Sequence, residues 1–181
     1  MQMYFIAVVL PEELDEKVLE YKKRMFEIYG CKVGLKSPAH ITIAPPYWME
    51  NSLEEELISN VNSFASTINE FTIDSNNFSA FKPRTIFIDV RKNDALEKVK
   101  KESDAFFKQH SKFGIKIETR PFHPHITIAT RDLRKSAFYE AWEIFKDRIF
   151  QKQFIAEGLS ILRHNKKNWD VIHTSQFKKN L

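Results

Sequence analysis

One pentapeptide occurs twice. Residues 40–44 read His-Ile-Thr-Ile-Ala, and residues 125–129 repeat all five, 85 positions later in a chain of 181. A chance match of that length somewhere in such a chain has a probability on the order of one in a hundred, so the flanking sequence decides whether it marks a duplication. The flanks agree. Residues 4–10 are apolar and β-rich, a strand. Residues 11–29 are helical, with Leu14, Val18, Tyr21, Met25 and Ile28 on one face, Pro11 suited to the first turn and Gly30 to the stop. After the first repeat, residues 52–68 form a helix, with a capping box at Ser52 and Glu55 and a stripe of Leu53, Leu57, Val61, Phe64 and Ile68. A strand at 71–74 follows.

The second half runs in the same order: strand 85–90, helix 94–110 started by Asp94 and Glu97, the second repeat, then helix 135–149 with Phe138, Trp142, Phe145 and Ile149 on one face. Strands near 154–162 and 169–174 close the chain as a hairpin over the polar turn 164–168. Residues 76–84 read as the connector between halves. Strands meet directly around this connector and near the C-terminus, which excludes a parallel doubly wound sheet. The expected fold is α+β: a bilobal pseudo-twofold duplication with two mostly antiparallel sheets, helices outside and a central cleft. We read one domain over 1–181, with lobes of roughly 1–75 and 85–181 between which strands can swap.

Composition sets the setting. Hydrophobic residues make up 43% of the chain and phenylalanines number sixteen, enough for an aromatic-rich core. The single cysteine, Cys31, excludes an intrachain disulfide and a Cys-rich zinc site, and is expected to be buried or inert. The N-terminal apolar run has no basic leader or cleavage site and reads as the first strand. No apolar stretch approaches the ~18 residues of a membrane span, so a cytoplasmic protein is expected. A net charge of +4 mildly favours a phosphate-bearing partner and equally suits an ordinary surface. A monomer is expected, because the pseudo-dimer already lies in one chain.

Side chains alternate across a strand, so each repeat has an apolar back of two isoleucines and a front carrying His and Thr. Two such fronts in one cleft suit the cleavage of a cyclic phosphodiester. A base must activate the nucleophile, an acid must protonate the leaving oxygen, and hydroxyls must hold the phosphate oxygens. His40 and His125 fit the proton transfers; Thr42 and Thr127 fit the phosphate.

The paired His-Ile-Thr-Ile at 40–43 and 125–128 resembles the His-x-Thr-x signature of the two-histidine phosphoesterase superfamily, which includes bacterial 2'-5' RNA ligase and 2',3'-cyclic phosphodiesterase proteins. The run Phe122-His123-Pro124-His125-Ile126-Thr127 resembles the second motif of its small bacterial branch. The resemblance covers nearly the whole chain and implies the bilobal fold. It also implies His40 and His125 as acid and base, with Thr42 and Thr127 as phosphate binders. The implied partner is a nucleotide or RNA with a 2',3'-cyclic or 2'-5' phosphodiester end, handled without metal or cofactor. The approach to the first motif, residues 34–39, lacks the arginines usual in the RNA ligase branch, though Lys36 can hold a phosphate.

Other residues have two readings. Tyr47 and Phe122 can stack on a base or pack in loops. Arg84, with Lys82, can meet phosphate or form a solvated strand end. His123 and His125 have a metal-ligand spacing with His40 as a third donor, but the paired threonines are then unexplained. The basic turn 163–168 reads as a solubility feature. The rival functions are a phosphate-binding module of the same fold with little turnover and, less favoured, a His-ligated metal hydrolase.

Overall fold

Apolar alternation and helical periodicity convert into elements largely as expected. In the computed structural model, which describes residues 1–180, the strands are β1 (Gln2–Val9), β2 (His40–Met49), β3 (Phe71–Phe81), β4 (Thr85–Val90), β5 (His125–Ala129), β6 (Gln153–Ala156), β7 (Gly158–His164) and β8 (Trp169–Gln176). The helices are α1 (Glu12–Tyr29), α2 (Glu54–Ala65), α3 (Asp94–Gln109) and α4 (Lys135–Phe145). Gly30 ends α1 at φ 71°, a left-handed conformation that glycine adopts without a Cβ penalty. The hairpin turn before β8 has the expected place, with Asn165 Oδ1 accepting from the amides of Lys167 and Asn168.

The strands lie in the order β6-β3-β4-β5-β2-β1-β7-β8, all neighbours antiparallel. The two expected sheets are the two halves of this curled sheet. They join at its centre, where β2 and β5 share a single registered pair, Ile41 with Ile126. The halves exchange strands: β3 follows α2 yet pairs with β4, and β7 follows β6 yet pairs with β1. The helices cross over too, α1 packing behind β5 and α3 behind β2. One apolar core fills the space between sheet and helices. On the opposite face a smaller cluster of Phe5, Ala7 and Leu162 is backed by Val9 and Trp169.

Several details depart from the sequence reading. Residues 76–84 are mostly strand, since β3 continues through a bulge where Asn77 has φ 61°, and only residues 82–84 turn. The capping box does not form: a 3-10 turn, Asn51–Leu53, precedes α2, and no side chain caps it. Ile28 and Ile149 are exposed, because the buried stripe of α1 runs through Val18, Lys22, Met25 and Tyr29 rather than Ile28, and α4 stops at Phe145. The strand expected over 154–162 breaks at Glu157. Its two parts, β6 and β7, pair in different halves, and Phe177 donates its amide to the Glu157 carbonyl at 2.7 Å where they part.

The segment leading to β2 is pinned by close approach. A Cβ on Gly34 would lie 2.4 Å from the carbonyl oxygen of Ile128, so only glycine lets this turn rest against β5.

Candidate active site

The register fixes the arrangement of the four motif side chains. Ile41 and Ile126, the central pair, are fully buried on the helix side. One step along each antiparallel strand then sets His40 opposite Thr127 and Thr42 opposite His125, all four on the open face. Opposed side chains in such a pair stand about 5 Å apart at Cβ, and diagonal ones about 7–8 Å. The two imidazoles thus occupy one diagonal and the two hydroxyls the other. Both strands carry the same irregularity just beyond this tetrad. The pairing of β1 with β2 slips between Thr42 and Ala44, and that of β4 with β5 slips between Thr127 and Ala129. Such bulges re-aim the flanking side chains, and their repetition extends the duplication to the backbone.

The two rings are held in the same way. His40 Nδ1 donates to the Pro38 carbonyl at 2.8 Å, and His125 Nδ1 donates to the His123 carbonyl at 2.7 Å. A carbonyl only accepts, so each Nδ1 carries a proton and each Nε2 is left for the cleft. Each ring also stands on a phenylalanine backed by a second aromatic. His40 packs on Phe5 at 4.8 Å between centroids, with Trp169 against Phe5 at 4.7 Å. His125 packs on Phe87 at 5.0 Å, with Phe81 against Phe87 at 4.4 Å.

This burial acts on proton affinity. Desolvation pushes His40 down from the usual histidine range to about 4, assisted by the charges of Lys22 and His125 and opposed by the Pro38 hydrogen bond. Desolvation lowers His125 as well, opposed by its hydrogen bond to the His123 carbonyl and by the Asp89 carboxylate.

Two depressions flank the tetrad and meet at Thr42. One, of 350 Å³, contains His125 and is lined by Pro45, Phe81, Phe122 and Pro124 together with Lys100 and Arg120. The other, of 190 Å³, contains His40 and Thr127 with Lys36, Arg131 and Trp169. Lys36 and Phe122 therefore lie beside the motif residues. Tyr47 does not: it is 2% exposed, stacked on Tyr4 in the core, and offers no face to a base. The pleat explains the difference, since Tyr47 follows the bulge on the apolar back while Trp48 beside it is exposed. Arg84 is exposed in the β3–β4 turn and lines neither depression. His123 turns its Nε2 to Asp89 at 3.1 Å. Among the described residues, no three His, Cys, Asp or Glu side chains are gathered as a metal ion requires, and no helix is long and apolar enough to cross a membrane. Cys31 is buried, and its thiol is pushed up to about 11.

Sequence reasoning passed over Phe5, Phe81, Phe87, Asp89, Arg131 and Trp169. Arg131 had a signal, two residues after the second repeat. The aromatic supports had none beyond strand alternation, because their role depends on which strands become neighbours.

A β-strand pair that presents His-x-Thr twice across one seam is the layout of the two-histidine phosphoesterases. The chain belongs to the 2'-5' RNA ligase superfamily, whose family model matches residues 10–168. That superfamily is the two-histidine phosphoesterase group which the paired motifs resemble. It is 26% identical over 132 residues to the RNA 2',3'-cyclic phosphodiesterase of Bacillus subtilis (strain 168), covering 71% of this chain and 70% of that protein. Its fold matches that of TT0787 of Thermus thermophilus at a TM-score of 0.70, with 18% identity and all of both chains covered. It matches E. coli LigT complexed with 3'-AMP at a TM-score of 0.64, with 17% identity over 97% of this chain and 98% of that one.

Proposed function

We propose that this protein opens a 2',3'-cyclic phosphodiester, or a related 2'-5' linkage, at a nucleotide or RNA end by metal-independent acid–base catalysis. The observation that carries the reading is the diagonal tetrad, with Nε2 of both His40 and His125 left for the cleft by hydrogen bonds at Nδ1. A phosphate seated over its centre has the imidazoles on opposite sides along one diagonal and the Thr42 and Thr127 hydroxyls along the other. One neutral imidazole takes a proton from the attacking water as its oxygen bonds to phosphorus. The opposite imidazolium gives a proton to the ribose oxygen as its bond to phosphorus breaks, leaving a ribose phosphomonoester. The threonine hydroxyls donate to the non-bridging oxygens, where charge accumulates. The rings exchange parts when the reaction runs in reverse.

The flanking depressions suit the rest of such a substrate. Phe122 and Phe81 offer apolar faces for a base on the His125 side. Lys36 and Arg131 offer charge for further phosphate on the His40 side. The relative named RNA 2',3'-cyclic phosphodiesterase supports the same substrate class.

The test is hydrolysis of the common nucleoside 2',3'-cyclic phosphates and 2'-5' dinucleotides, followed by phosphorus NMR with and without chelator. Turnover unchanged by chelator is expected. Loss of turnover with chelator sinks the metal-independent scheme, and binding without turnover supports a phosphate-binding module instead.

The pH profile follows from the same geometry. The active form holds one proton between the two rings. Burial penalises the charged form and lowers both rings in the free enzyme, so the bell in kcat/KM is centred below the ordinary histidine value of about 6.5. A bound phosphodiester anion favours the charged form, so the bell in kcat moves to higher pH. Parallel measurement of both constants checks this, and a kcat/KM optimum above that of kcat contradicts it.

A further inference from the structure

Lys22 sits on the buried stripe of α1, between Val18 and Met25, with only 3% of its surface exposed. Its ammonium donates to the Ser37 carbonyl at 3.0 Å, its one hydrogen bond among the described residues. Asp15, one helical stretch earlier, is turned to the Ala39 amide at 2.6 Å and acts on Lys22 through its field. A buried ammonium with a single carbonyl partner is costly, and an aliphatic residue on this stripe would pack without that cost. What the charge secures is the loop before β2. Lys22 holds the Ser37 carbonyl, Asp15 holds the Ala39 amide, and Leu10 donates its amide to the Ala39 carbonyl at 3.0 Å. Pro38 between them has no N–H to place, and its carbonyl is the one that orients the His40 ring.

The geometry points to Lys22 as a positioning residue for His40: it anchors the loop whose next carbonyl aligns the imidazole, and it fixes a positive charge behind the catalytic seam. The inference rests on the proposed reaction for its kinetic meaning but not for its electrostatic one. The charged and titratable groups around His40 are Lys22 from α1, His125 from β5, and Lys36 and Arg131 across the shared depression, with Asp15 behind the loop. The Lys22 charge disfavours the imidazolium at His40, which agrees with its effect on that ring. The strand neighbours of the two rings differ as well: Asp89 on β4 stands opposite His125 and favours its charged form, whereas Val9 on β1 stands opposite His40. The duplicated site is therefore electrostatically unequal even though its motifs are identical.

The experiment compares wild type, Lys22→Gln and Lys22→Met. Proton NMR of the His40 ring is followed against pH without substrate. Both variants should raise the His40 titration midpoint, because a nearby positive charge is gone. With a cyclic phosphate as substrate, Lys22→Met should lose roughly tenfold or more in kcat with little change in KM. Lys22→Gln should retain more, because its amide still reaches toward the Ser37 carbonyl. An unmoved His40 midpoint in a folded variant, or full kcat in Lys22→Met, overturns the assignment. Wild type supplies a readout free of any folding defect. Burial lowers Lys22 to about 8, so the His40 ring resonances should shift a second time as Lys22 loses its proton. Their failure to do so also overturns it. Absence of turnover in wild type would refute the functional reading while leaving these titrations decisive by themselves.

Discussion

His40→Ala and His125→Ala are each expected to lower kcat by about 10²–10⁴, the range of a lost general acid or base. The double variant should fall by much less than the product of the two losses, because in the proposed reaction both rings serve one transition state. KM should change little, since the Thr42 and Thr127 hydroxyls and the flanking depressions remain. Folding should survive, as each ring is only partly buried and stands on the face away from the main core. Stability gives a second signature. Both rings have folded-state proton affinities below those of the unfolded chain, so the unfolded state takes up protons first as pH falls. Wild type therefore loses stability as pH drops from about 6.5 toward the His40 value of about 4, and the ring's contribution is fully lost below that. His40→Ala lacks this share and should show a flatter decline over that window. Denaturant melts at several pH values, beside initial rates, measure both effects. A single alanine variant with near-normal kcat contradicts the two-imidazole scheme.

The tetrad was legible in the sequence because two independent signals coincided. Repetition named the residues, and strand alternation placed His and Thr together on one face. Neither signal reports which strands are neighbours. The facing of His40 with Thr127, and of Thr42 with His125, comes from the β2–β5 register, a long-range property. Tyr47 has a different cause: alternation from Thr42 already sets residue 47 on the apolar back with Ile41 and Ile43, where it stacks on Tyr4, and only its aromatic character suggested a base-stacking role. Lys36 and Phe122 were within reach because each lies within four residues of a motif histidine. Lys22 left only a faint trace, a charged residue on an otherwise apolar helical stripe. Its meaning depends on α1 crossing behind the other half of the sheet. The strand switch at Glu157 left no trace, because the neighbours that send the two strands to different halves, β3 for β6 and β1 for β7, lie more than 75 and more than 150 residues away in sequence.

Thr42→Val and Thr127→Val should each reduce kcat by about 10²–10³, the usual effect of removing a donor from a developing oxyanion. Valine keeps the β-branched shape that a strand accommodates, so packing and register should persist and the loss should report the hydroxyl alone. Thr→Ser at either place should recover most of the rate, since it restores the donor. The two positions should differ in ground-state binding. Thr42 borders both depressions, whereas Thr127 borders only the one with Lys36 and Arg131. Thr127→Val should therefore weaken substrates with additional phosphates least, because those two cations still hold them. Initial rates with a cyclic mononucleotide and with a cyclic-phosphate-ended oligonucleotide separate these effects. If both valine variants keep wild-type kcat, the phosphate is held by Lys36 and Arg131 instead, and the hydroxyl diagonal of the tetrad has no part in the transition state.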